Sequence, residues 1–213
     1  MSDSRPTPQS IAAPTDPATV FAWCGARFAG TRADALVALD RQLGEIIRTT
    51  TQPIVGQMRL TWWREALEKL GQGPVPAHPV LEAIAAAGIH GAALASMVDG
   101  WELLLEEEVG DATLLAYARL RGDTLFAALA GTTRGGDGWA LADLAAHVGD
   151  AALATRAGGF ARAALERALA GRWTGDRVVG AMVKDAALAM AGKGMPGSPR
   201  RAAAVVRMRL TGR

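Results

Sequence analysis

The apolar residues of this chain recur at three- and four-residue steps, and no segment shows the two-residue alternation of a strand. Leu94, Met97, Val98, Trp101, Leu104 and Leu105 all fall on one side of a helix drawn through 91–108. Composition points the same way. Half of the 213 residues are hydrophobic, alanine dominates them, and aromatic residues make up only 5%. Alanine costs least in a helix, whereas strands prefer branched and aromatic side chains. The chain reads as all-α, and it is long enough to bury one substantial core.

The punctuation divides it into three parts. Residues 1–15 are polar and proline-containing and read as a disordered leader. Residues 16–191 read as a single helical domain, with Asp16 as N-cap and Pro17 at the first helical position. Breakers then predict helices over 16–28, 32–49, 54–70, 79–87, 91–108, 112–130, 139–170 and 175–191. The long one has a weak point at Gly158-Gly159. Residues 192–213 form a basic C-terminal tail, because no acidic residue follows Asp185 while Lys193, Arg200, Arg201, Arg207, Arg209 and Arg213 do. A short basic helix fits there, but its apolar residues are small, so the tail reads as solvated.

The net charge of +2 is too small to imply a nucleic-acid partner. Cys24 is the only cysteine, which excludes an internal disulfide and reads as a buried helical thiol. The first residues carry no apolar signal core, and no stretch approaches the ~20 apolar residues of a membrane span. The expected location is cytoplasmic, with at most peripheral membrane contact.

The segment Gln57-Met58-Arg59-Leu60-Thr61-Trp62-Trp63-Arg64-Glu65-Ala66-Leu67 sets two tryptophans side by side between two arginines. Met58, Trp62 and Ala66 repeat at four-residue steps, with Leu67 and Leu70 extending the stripe, which predicts Trp62 inside. Trp63 then points about 100° away, toward Arg59. Arg59 is expected to be buried and paired with Asp40 or Glu45, since a buried guanidinium needs a partner. Arg59, Trp62, Trp63, Arg64 and Trp101 are therefore candidate structural or pocket residues.

Arg32 to Leu39, Glu45-Ile46-Ile47 and Gln52-Pro53-Ile54-Val55-Gly56 precede this segment. His78-Pro79-Val80 and Val98-Asp99-Gly100-Trp101-Glu102 follow it. In that order the motifs resemble the squalene/phytoene synthase family, the head-to-head prenyl synthases, and within it a divergent branch with decayed catalytic motifs. The resemblance covers about 16–170 and is strongest over 32–105. It implies the helical isoprenoid synthase fold, somewhat truncated at the C-terminus. It also implies two DxxxD motifs that hold Mg²⁺ against diphosphate, a job for carboxylates on facing helices.

No DxxxD occurs in this sequence. Ile47 and Arg48 occupy the first paired positions. Asp34 and Glu45 share a face but stand about 16 Å apart along the axis, too far to grip one ion. Around His147-Val148-Gly149-Asp150, the family's Asn-x-x-Arg-Asp segment is replaced by Arg156, Gly159 and Phe160, and Leu104 stands where members usually carry an aspartate.

One substitute metal face suggests itself. Asp99, Glu102 and Glu106 lie on one helix within a run, Asp99 to Asp111, that holds six carboxylates and no basic residue. They fall opposite the apolar stripe, however, where a solvated acidic face is the expectation. His78, His90 and His147 lack ligand spacing, His78 reading as a turn residue, and Gly131 to Gly136 reads as a linker. The resemblance thus implies a catalytically degenerate protein acting through a protein partner, in the manner of an assembly factor. Two alternatives stand beside it: an active prenyltransferase condensing prenyl diphosphates, or a metal-free binder of isoprenoid or lipid. No cofactor is expected, and Mg²⁺ only if the chain is active.

Overall fold

The computed structural model describes residues 31–194 and 198–213. The expected leader, the helix over 16–28 and Cys24 lie outside them. The described residues form helices joined by turns and short loops, with no strand among them. In chain order the α-helices are α1 (Thr31–Thr49), α2 (Pro53–Glu68), α3 (Pro79–Ala86), α4 (Ala95–Glu102), α5 (Asp111–Ala118), α6 (Thr124–Ala130), α7 (Gly136–His147), α8 (Ala151–Leu169), α9 (Arg177–Met190) and α10 (Pro199–Thr211). Short 3₁₀ turns flank α4, and a π-helical turn, Arg119–Asp123, joins α5 to α6.

One apolar core runs through the helices. Leu36, Leu39, Leu43 and Ile46 supply the α1 stripe and meet Leu60, Trp63 and Leu67 of α2 and Met97, Val98 and Trp101 of α4, all buried. Tyr117, Leu125, Phe126 and Trp139 continue it toward the hairpin of α7 and α8, against which α9 and then α10 pack. No single helix among the described residues is long and apolar enough to cross a membrane.

Four expectations are corrected. The helix expected over 139–170 is two helices, broken at Val148–Asp150. Asp150 caps α8 by accepting from the Ala152 and Leu153 amides at 2.8 and 2.9 Å, which is the ordinary work of an N-cap carboxylate. Gly158 and Gly159 sit inside α8 without breaking it.

The segment expected as one helix over 91–108 reaches only Leu105, and Glu106 is extended (φ −62°, ψ 145°). The basic tail is only partly solvated. Arg201, Val205 and Met208 of α10 are buried on α9, and the Trp173 amide donates to the Gly212 carbonyl at 2.9 Å.

The α2 stripe is also rotated from its expected setting. Gly56, Leu60, Trp63 and Leu67 face inward, while Trp62 is 47% and Met58 68% exposed. Both sides of this helix carry large apolar residues, and the side with a partner is buried. At Gly56 a Cβ would come within 2.9 Å of Leu105, so this glycine lets α2 approach the turn after α4.

Candidate functional site

The centre of the bundle holds a charge. Arg121, in the π-helical turn, is 3% exposed and reaches across to Asp40 of α1, 81 residues away in sequence. Its Nε donates to Asp40 Oδ1 at 2.8 Å and its Nη2 to Asp40 Oδ2 at 2.7 Å, a two-pronged grip. Nη2 also lies 2.7 Å from Asp143 Oδ2 of α7, and Nη1 donates to the Tyr117 hydroxyl at 2.6 Å. Trp101 Nε1 donates to Asp40 Oδ1 at 3.2 Å. The guanidinium lies 4.3 Å from the Trp101 ring centre and 4.9 Å from that of Trp139. Two aromatic faces therefore bracket the cation, and a buried charge that is paired and stacked is affordable where an unpaired one is not.

Local sequence explains how the parts arrive. Asp40 sits four residues after Leu36 and three before Leu43, inside the buried stripe of α1. Arg121 follows Tyr117 by four and precedes Leu125 by four. The extra residue of the π-helical turn turns Arg121 inward, and glycines bring the backbones close enough. A Cβ on Gly122 would lie 2.0 Å from the Gly136 carbonyl oxygen, and one on Gly100 3.0 Å from the Arg121 nitrogen. Only residues without side chains fit there.

Burial and neighbouring charge act in opposite directions on Arg121 and Asp143. Burial alone would favour a neutral Arg121, but the carboxylates of Asp40 and Asp143 outweigh it and hold the guanidinium firmly protonated. Burial likewise opposes ionisation of Asp143. Arg121 and then His147 outweigh that and hold its carboxyl well below the usual carboxylate range. The Tyr117 phenol is pushed well above its ordinary value, chiefly by burial. His147, 3.2 Å from Asp143, is raised by its hydrogen bond to that carboxylate.

The candidate metal residues lie elsewhere and do not converge. Asp99 and Glu102, each about one-third exposed, both pair with Arg64 of α2, Glu102 at 3.2 Å. Glu106, beyond the end of the helix, accepts from the Thr113 hydroxyl at 3.1 Å. The expectation of a free solvated acidic face is corrected: two of the three carboxylates are neutralised across α2. Among the described residues no group of three or more His, Cys, Asp or Glu side chains could hold a metal ion.

Arg59, expected in the core, is exposed, and among the described residues it makes one 3.4 Å bond, to the Thr49 hydroxyl. The buried arginine that pairs with Asp40 is Arg121. Trp63 packs edge-on against His78, 4.7 Å between ring centres, and His78 caps α3 by accepting from the Val80 amide. Arg48, at one of the positions where the resemblance placed an aspartate, pairs with Glu45 at 2.6 Å on the surface. Arg156 ties α8 to the start of α5 through the Val109 carbonyl and Asp111.

A family model for squalene/phytoene synthase matches residues 28–169. The chain belongs to the squalene/phytoene synthase family. No curated protein and no solved structure matches it. The match spans the bundle from α1 to α8, so it includes Asp40, Arg121 and Asp143. Prenyl condensation of this family's kind calls for divalent metal between carboxylates on facing helices. Asp40 and Asp143 do face each other from two helices, but a guanidinium fills the space between them, and the donor set does not fit Mg²⁺.

Proposed function

We propose that this family member has lost prenyl-condensing chemistry and uses its helical body to bind another protein, as an assembly factor would. The observation that carries the reading is Arg121 between Asp40 and Asp143. A fixed cation there satisfies both carboxylates and repels a divalent ion, and without such an ion a diphosphate leaving group has nothing to neutralise it. The α2 surface supports the second half. Ile54, Val55, Met58 and Trp62 are all more than 40% exposed on one side of that helix, and no carboxylate occurs from Pro53 to Arg64. Clustered large apolar residues on a surface mark a contact site.

The test is turnover. Purified protein offered farnesyl or geranylgeranyl diphosphate with Mg²⁺ is expected to release no pyrophosphate and to form neither squalene nor phytoene. Mg²⁺-dependent product that disappears in the double variant Glu102→Gln with Glu106→Gln would sink the reading and make the acidic segment a metal site.

A further inference from the structure

An open cavity of about 470 Å³ lies between α7, α8 and α9, with Arg201 of α10 in one wall. It is separate from the family's aspartate positions: Ile47, Arg48, Arg156 and Phe160 do not line it, and it meets the α8 face of Thr155, Gly158 and Arg162. Its volume is that of a pocket for a small organic ligand. Trp139, Met182 and Met190 supply large apolar walls, and alanines such as Ala142 and Ala154 leave the space between them.

Four charged side chains touch the cavity, and three are already satisfied. Asp143 is held by Arg121 and His147. Asp185 and Arg201 grip each other through two bonds, one of them 2.7 Å. Arg162 is left. It is exposed at the rim and has no hydrogen bond or ion pair among the described residues. The cavity is therefore an apolar cleft with one uncompensated positive charge at its mouth.

We propose that this cleft binds an amphiphile with a single apolar chain and a single carboxylate head. The carboxylate would pair with the Arg162 guanidinium, whose planar fork matches it with two parallel hydrogen bonds. The chain would lie along Trp139, Met182 and Met190, and the thioethers adapt to an irregular aliphatic surface. A diphosphate fits poorly. It brings several negative charges to a mouth with one free cation, and Asp143 and Asp185 stand behind it. The proposal does not rest on loss of catalysis, and its readout is binding rather than turnover, so either idea can fail alone.

The probe is laurate, titrated below its micelle concentration into the full-length chain and followed by tryptophan fluorescence and calorimetry. One saturable site is expected. Arg162→Gln, at a solvent-exposed position, should keep the helical circular dichroism and weaken laurate about tenfold or more, the scale of a lost charge-assisted bond. Dodecanol should bind more weakly than laurate and be indifferent to that substitution, while Ala154→Leu, which fills the cleft, should weaken both. Four results would each overturn the proposal: no saturable laurate site, equal laurate affinity in Arg162→Gln, no effect of Ala154→Leu, or farnesyl diphosphate binding more tightly than laurate.

Discussion

Two arginines separate what burial does from what identity does. Arg121 lies within 2.8 Å of both Asp40 oxygens and 2.7 Å from Asp143, so Arg121→Met would leave two carboxylates in the core without their cation. The expected loss is about 3–5 kcal/mol, the range for a buried pair broken from one side. Arg59→Ala, at an exposed site with one long bond, should change stability by no more than about 0.5 kcal/mol. Urea unfolding of the two variants checks the contrast, and equal losses would contradict it. The acidic residues give a second test, with opposite signs. Asp143 is held below its ordinary range, so its pairing contributes stability above about pH 4, and that contribution is lost as acid protonates the native carboxyl. Asp123 is pushed up to about 6, by burial and then by the charge of Asp137. Its native state holds a proton more tightly than the unfolded chain does, so this residue costs stability increasingly from about pH 4 to pH 6 and throughout the range above. Asp123→Asn keeps an oxygen for the Asp137 amide, now 3.0 Å away. It should therefore stabilise the protein at pH 7 by about 1–2 kcal/mol, allowing for partial exposure, and by nothing below pH 4. The same gain at both pH values would remove titration as the cause.

At the scale of elements, glycines decide how closely helices meet. Gly122 and Gly136 touch through their backbones, and a Cβ on Gly122 would stand 2.0 Å from the Gly136 carbonyl oxygen. Gly122→Ala should push α7 off the π-helical turn, loosen Asp143 from Arg121, and cost several kcal/mol, as overpacking against rigid backbone does. Gly159, within α8, has nothing within 4 Å of its would-be Cβ. Gly159→Ala should stabilise by about 0.5–1 kcal/mol through helix propensity alone. Thermal unfolding of both variants suffices, and destabilisation at 159 would show that the helix needs that glycine. The same helices show what could be read in advance. The Leu94–Leu105 stripe follows directly from spacing: Leu94, Met97, Val98 and Trp101 are buried, and Leu104 and Leu105 are partly buried against the same core. The setting of α2 does not follow from spacing, because Met58 and Trp62 on one side compete with Leu60, Trp63 and Leu67 on the other, and only the neighbours decide. The break before α8 was present in Gly149-Asp150 as a capping signal, but an alanine-rich run on either side masks it.

For the molecule as a whole, the all-α class was legible because period and alanine content agree along the chain, whereas the central ion cluster was not. Its clues were a lone aspartate inside the α1 stripe and a lone arginine between Tyr117 and Leu125; neither says that 81 residues of chain will close to join them. The C-terminal segment misled for a related reason, since its positive charge suggests solvent until its partners are known. Asp185, the last acidic residue, is buried and takes two bonds from Arg201. Arg172 and Arg177 donate to the Thr211 and Leu210 carbonyls at 3.1 and 2.5 Å, supplying partners that the last turn of a helix lacks. Gly212 closes the contact with φ +73° and would bring a Cβ within 2.3 Å of the Trp173 carbonyl oxygen. Deleting residues 198–213 should therefore uncover the α9 face on which α10 packs and leave Asp185 without its cation. It should cost at least the about 3–5 kcal/mol of a broken buried pair and lower the thermal midpoint by several degrees or more. Arg207→Ala, on the exposed side of α10, should leave the midpoint within a degree or two. If the shortened chain melts with the full-length protein, α10 is an appendage, and the wall that Arg201 gives to the cavity contributes nothing to the fold.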